Sequence, residues 1–175
     1  MSPWQHVINR LPWLLILMVA YVFTGKIISN FEGQLSDYTN LITYMPMLMG
    51  TGGNTGSQAA TLIIRGLATD EVEPHDFLKI LWKEIRVGVI LGTILSIINF
   101  ARIYFFEGVP FSQTITVCTS MIGIVVFAKI LGSMIPLIVK KLNLDPALIA
   151  NPAISSVSDA VALSIYFLMA GIFVF

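Results

Sequence analysis

Asp159 is the residue whose position most demands a chemical account. It lies in the apolar segment 147–175, with hydrophobic sequence on both sides. An aspartate at the centre of a membrane helix costs about 2.5–3.5 kcal/mol on insertion scales, and one kept there normally faces a bundle interior or a wet cavity. Asn151, Ser155 and Asp159 recur every fourth residue, which puts them on one stripe of a helix. Ser158 flanks the stripe, and Pro152 frees a backbone carbonyl one turn earlier. Carboxylate, amide, hydroxyl and carbonyl offer only oxygen ligands, a set suited to a hard cation. The competing account is a structural ion pair, with Lys129 in segment 114–139 as the candidate partner. Lys129 equally suits a helix-end lysine whose ammonium reaches the interface.

The second chemical stretch is GTGGNTGSQ at residues 50–58, in the middle of another apolar segment. Small residues spaced four apart serve helix packing by themselves. Packing has no use for Asn54 and Gln58, however, and amides one turn apart point to a water-lined face. A phosphate loop is excluded, because no lysine follows the glycines and no strand precedes them. Nothing supports an enzyme. His6 and His75 are far apart in polar segments, no serine sits in a nucleophile elbow, and no paired histidines mark a zinc site.

These residues must be positioned by membrane helices. Of 175 residues, 56% are hydrophobic and 11% charged, with a mean hydropathy of +0.84. A soluble domain carries about a quarter charged residues, so most of this surface must face lipid. Ten basic and ten acidic residues leave no net charge and no basic tail for nucleic acid. The single cysteine, Cys118, excludes an intrachain disulfide and reads as a small packing residue.

A spanning helix needs about 20 apolar residues, and five segments approach that: 11–28, 41–64, 87–106, 114–139 and 147–175. The first lacks a signal-peptide cleavage pattern, so the chain reads as one transmembrane domain over residues 1–175. Between the second and third spans, Phe77, Ile80, Leu81 and Ile85 predict an amphipathic interfacial helix over 74–86. Arg10, Arg65, Lys79, Lys83, Arg86, Lys140 and Lys141 fall in one set of connections, Lys26 and Arg102 in the other. The positive-inside rule then predicts a cytoplasmic N-terminus and an extracytoplasmic C-terminus in a plasma membrane. Five spans cannot divide into matching halves, so a symmetric pore would need a second copy of the chain.

Residues 46–58 with 61–66, and residues 144–159, resemble the second and fifth helices of the MgtE family of magnesium channels. The resemblance covers the whole chain and implies an all-α, five-helix transmembrane domain working as a homodimer. It further implies a pore between subunits, lined by the second and fifth helices, that conducts hydrated Mg2+ as its transported ion. On this basis Asp159 selects the ion, Asn151, Ser155, Gly50 and Asn54 surround it, and Asp145 lies near the cytoplasmic mouth. Magnesium dehydrates reluctantly, so binding the hydrated ion is a reasonable route to selection. Family members usually carry cytoplasmic acidic and CBS regulatory domains before the first span. This chain begins a few residues before its first span, and the expectation is that both are absent. The alternative is a cation-coupled exchanger of divalent metal. A single intramembrane acid favours the channel, because coupling uses a relay of titratable groups. A membrane anchor with no transport role would leave the polar stripe unexplained.

Overall fold

The computed structural model describes residues 3–35 and 37–175; the side chains of His6, Asn9, Arg10, Trp13, Pro74, Ala147, Leu148, Ile149 and Asn151 lie outside the described residues. Five long helices follow one another: α1 (Pro3–Leu35), α2 (Thr39–Ala68), α3 (Phe77–Phe100), α4 (Phe111–Lys141) and α5 (Pro146–Phe173). A 3-10 turn at Pro74–Asp76 leads into α3, and a π-helical segment at Ala101–Phe106 extends its far end. No strand occurs among the described residues. The links are short and use residues that can turn the chain. Asp70 and Asn143 take positive φ after α2 and α4, a conformation Asn and Asp tolerate. Pro146 opens α5, where its missing N–H costs nothing.

Among the described residues, four helical stretches are long and apolar enough to cross a membrane: Leu14–Leu35, Phe77–Phe106, Phe111–Lys141 and Pro152–Phe173. The chain is therefore an all-α membrane protein. α2 falls outside that set despite its 30 residues, because the glycines and polar residues of 50–58 dilute its hydropathy. The interfacial helix expected over 74–86 is not a separate element. Only the turn at Pro74–Asp76 precedes α3, which runs unbroken from Phe77, since no proline interrupts the sequence there.

α4 is the central post. It packs against α2, α3 and α5, while α1 leans mainly on α5. Accordingly 56% of the apolar window of α4 is buried, against 6% for α1. Lipid is as apolar as leucine, so close backbone approach through small residues drives helix association here. A Cβ added to Gly132 on α4 would stand 2.1 Å from the Gly56 carbonyl oxygen on α2. On α3, Ile80, Glu84, Gly88, Gly92 and Ser96 form a buried row with four-residue spacing. Gly88 and Gly92 of that row would each bring a Cβ within 3.0 Å of the α4 backbone, and Ser96 donates a hydrogen bond to the Cys118 carbonyl.

Glu84 belongs to the same buried row, and this corrects the expectation for Lys129. The Lys129 ammonium lies 3.6 Å from the Glu84 carboxylate, and both side chains are buried. Lys129 is therefore neither the partner of Asp159 nor a lysine reaching the interface. In sequence Glu84 sits in a charged run, but the continuous helix α3 carries it against α4.

Two outcomes follow for stability, both read from thermal unfolding in mild detergent. Lys129→Met leaves the Glu84 charge buried and unpaired, a loss of ~3–5 kcal/mol, whereas Lys129→Met combined with Glu84→Leu restores most of it. An unchanged midpoint in the single variant would contradict the pairing. Gly132→Ala forces α2 and α4 apart and lowers stability by about 1–3 kcal/mol; a wild-type midpoint would show that the contact at Gly56 is slack.

Candidate functional site

The glycine-rich stretch is helical throughout, so its residues divide by face rather than opening the backbone. Gly52, Thr55, Gly56, Ala59 and Ile63 are buried. This face meets α4 and α5: a Cβ on Gly52 would touch Ile124 and Ser158, and one on Gly56 would strike Ile154. Gly50, Asn54, Gln58 and Thr61 are exposed on the opposite side, with Ser57 half-buried beside them. Gly50 has nothing within 4 Å of an added Cβ. Packing and polar lining are thus both present in the motif, on opposite sides of one helix. Asn54, Ser57, Gln58, Thr61 and Leu62 line a groove of ≈ 620 Å³. Thr61 was not singled out as a lining residue in sequence, although its seven-residue distance from Asn54 places it on the same face. Its hydroxyl is committed to the Ser57 carbonyl at 2.8 Å.

Pro46 and Thr51 shape the approach to this stretch. Pro46 lies inside α2 and cannot donate to the carbonyl one turn earlier. Thr51 donates its hydroxyl to the Met47 carbonyl at 2.7 Å. Such back-bonding replaces a solvent partner where none would be found in lipid.

On α5, Asp159 is half-buried. Among the described residues no ion pair or hydrogen bond ties its carboxylate. Ser155, one turn earlier, is half-buried and has a partner of its own. Asn151 lies in the helix at the next turn, and its side chain is outside the described residues. Ser158 points elsewhere. It is buried in the seam with Gly52 and Gly56, and its hydroxyl finds no hydrogen-bond partner among the described residues. Asp145 is exposed immediately before Pro146. A carboxylate there is favoured by the α5 N-terminus, an account that needs no ion.

α5 is fixed to α2 at both levels of the bundle. Ile154 and Ser158 pack on the glycine face, and the buried Tyr166 hydroxyl donates to the Leu41 carbonyl at 2.9 Å. That bond spans from the far half of α5 to the start of α2, a pairing that local sequence spacing does not reveal. The lining of the groove beside Asn54 does not include Asp159. Among the described residues, no three His, Cys, Asp or Glu side chains cluster to hold a dehydrated metal.

Comparison with known proteins gives these surfaces a context. Residues 45–169 match the MgtE family, described as divalent cation transporters. The "Magnesium transporter MgtE" of Thermus thermophilus is 41% identical over 157 residues, covering 90% of this chain and 34% of that protein. That of Bacillus subtilis is 32% identical over 166 residues, covering 95% of this chain and 37% of the relative. The Enterococcus faecalis protein of the same name is 28% identical over 173 residues, 98% of this chain and 38% of its own length. The chain spans little more than a third of the length of these relatives. With the match running through α2 to α5, the chain belongs to the MgtE family of divalent cation transporters.

Proposed function

We propose that this chain forms a magnesium-conducting pore as a homodimer, with α2 and α5 of both copies lining the path. The observation that carries the reading is the exposed polar face of α2. Gly50, Asn54, Ser57, Gln58 and Thr61 lie opposite a tightly packed glycine face. Toward lipid, such a stripe would leave amides and hydroxyls without water. Facing the same stripe of a second copy across a two-fold axis, it would line a wet channel.

Asp159 supplies the fixed charge in this reading. Two symmetry-related carboxylates carry about two negative charges, which balance one divalent cation. A magnesium ion that keeps its waters would be held through hydrogen bonds from those waters to Asn54, Ser155, Asn151 and the backbone near Gly50. Asp145 would add negative charge at the cytoplasmic mouth. The orientation follows the basic residues at the end of α2 and the start of α3, Arg65, Lys79, Lys83 and Arg86, with the N-terminus in the cytoplasm of a cell whose plasma membrane holds the protein.

A coupled exchanger draws support from one observation. Glu84 is a buried carboxylate, so Asp159, which is half-buried, is not the only acid within the bundle. The Lys129 ammonium lies 3.6 Å from the Glu84 carboxylate, a fixed partner that Asp159 lacks among the described residues, which keeps the channel as the leading reading.

Mg2+ uptake into proteoliposomes under an inside-negative potential tests the assignment. Asp159→Ala should abolish selective uptake while the dimer still assembles; unchanged uptake and selectivity would remove Asp159 from the filter. Flux that collapses without a proton or sodium gradient would favour exchange instead. The dimer is tested separately with Asn54→Cys, since Cys118 is buried. Short thiol cross-linkers should trap a covalent dimer, and monomer alone would contradict the two-fold pore.

A further inference from the structure

A second cavity, of ≈ 530 Å³, is lined by Thr43, Tyr44, Met47, Arg102 and Glu107. Thr43, Met47, Gly50, Asn54, Ser57 and Thr61 recur on α2 at alternating intervals of four and three, so one helix face runs from this cavity to the polar groove. An arginine cannot shed its charge. Its presence beside a face read as a cation path therefore needs an explanation.

The local backbone supplies half of one. Residues five apart on an α-helix diverge by about 140°. Here Ala101–Phe106 is π-helical, and the Glu107 amide donates to the Arg102 carbonyl at 3.2 Å. The wider turn brings the two side chains together, and Arg102 Nη1 donates to the Glu107 carboxylate. The Tyr44 hydroxyl donates to the same carboxylate from α2. Asn99 Oδ1 accepts from Arg102 Nε at 3.3 Å and Nη2 at 3.2 Å, and the guanidinium lies 6.0 Å from the centre of the Tyr44 ring. Nη2 also approaches the Met47 sulfur at 3.4 Å. The Arg102 and Glu107 side chains are 45% and 35% exposed, and a pair so open to solvent contributes little to stability. Stability alone does not account for a π turn that assembles it.

We propose that Arg102 is a tethered counter-cation that Glu107 neutralises at the outer end of the α2 path, so that the pair sets the charge met by an entering cation. The inference rests on the transport reading above. Removing Glu107 exposes the Arg102 charge to incoming Mg2+; removing Arg102 leaves Glu107 free to attract it. The two single changes must therefore act with opposite sign, which a merely structural tie between α2 and the α3–α4 link does not produce.

The test is the half-saturating Mg2+ concentration for potential-driven uptake by the full chain in proteoliposomes. Glu107→Gln should raise it about fivefold or more at low ionic strength, since a unit charge acts strongly on a divalent ion at this range. Arg102→Gln should lower it. The double variant should return to within about twofold of wild type, and raised salt should shrink each shift. Glu107→Asp keeps the charge and should stay near wild type, which guards against a simple packing defect. Equal-direction shifts in both single variants, or a double variant worse than either, would overturn the inference while leaving the pore intact. A wild-type protein that conducts no cation would overturn the transport reading itself, and this inference with it.

Discussion

The seat of Gly56 against Gly132 governs the arrangement of everything else. With no side chain on either residue, the backbones of α2 and α4 approach closely enough for the Gly56 carbonyl to occupy the place a Cβ would take. In a bilayer such contact supplies the attraction that hydrophobic burial supplies in water. It also fixes the rotation of α2. Once Gly52 and Gly56 face inward, Gly50, Asn54, Gln58 and Thr61 must face outward, because they lie on the other side of the helix. The polar face is a consequence of the packed one.

The same bundle treats its buried charges in two ways. Glu84 and Lys129 are set against each other on α3 and α4, in a region walled by Gly88 and its α4 neighbours. Breaking one partner there is costly, because the other keeps its charge without solvent. Asp159 has no such companion among the described residues and retains partial exposure. A carboxylate that is neither paired nor sealed can interact with something that comes and goes. This contrast, more than the mere presence of an acid in an apolar helix, distinguishes a candidate ligand from a structural charge.

Much of this was legible in one dimension. Long apolar segments pointed to an all-α membrane protein, and the cost of an intramembrane aspartate singled out Asp159. What sequence spacing left open was which side of a motif meets a neighbour. In GTGGNTGSQ both packing and lining were plausible uses, and only the position of α4 separates Gly52 and Gly56 from Gly50 and Asn54. Glu84 does not stand out in sequence because it lies among Lys83 and Arg86, which are exposed. The row Ile80, Glu84, Gly88, Gly92, Ser96 carried the correction, since a four-residue recurrence of small and polar residues marks a helix seam. The pairing of Tyr166 with Leu41 joins residues 125 apart, a separation at which local periodicity carries no information.

The π-helical end of α3 shows how a local departure from regular geometry can serve an electrostatic need. A regular α-helix through Ala101–Phe106 would point Arg102 and Glu107 to different sides, leaving an uncompensated cation near the first turns of α2. The wider turn changes that, and aromatic rings surround it. Phe100 stacks on Tyr104 at 5.4 Å and meets Phe111 edge-on at 6.1 Å, an aromatic cluster of the kind that suits the boundary between lipid and water. Tyr44 then links the compensated pair to α2, the helix whose rotation the glycine contact has already set. Charge balance at the end of the stripe and helix rotation at its middle therefore belong to one helix, α2. Tyr44 meets Glu107 about two turns before Gly52 and three before Gly56 on that helix, so one element carries both the contact that sets the polar face and the contact that sets the charge at its end.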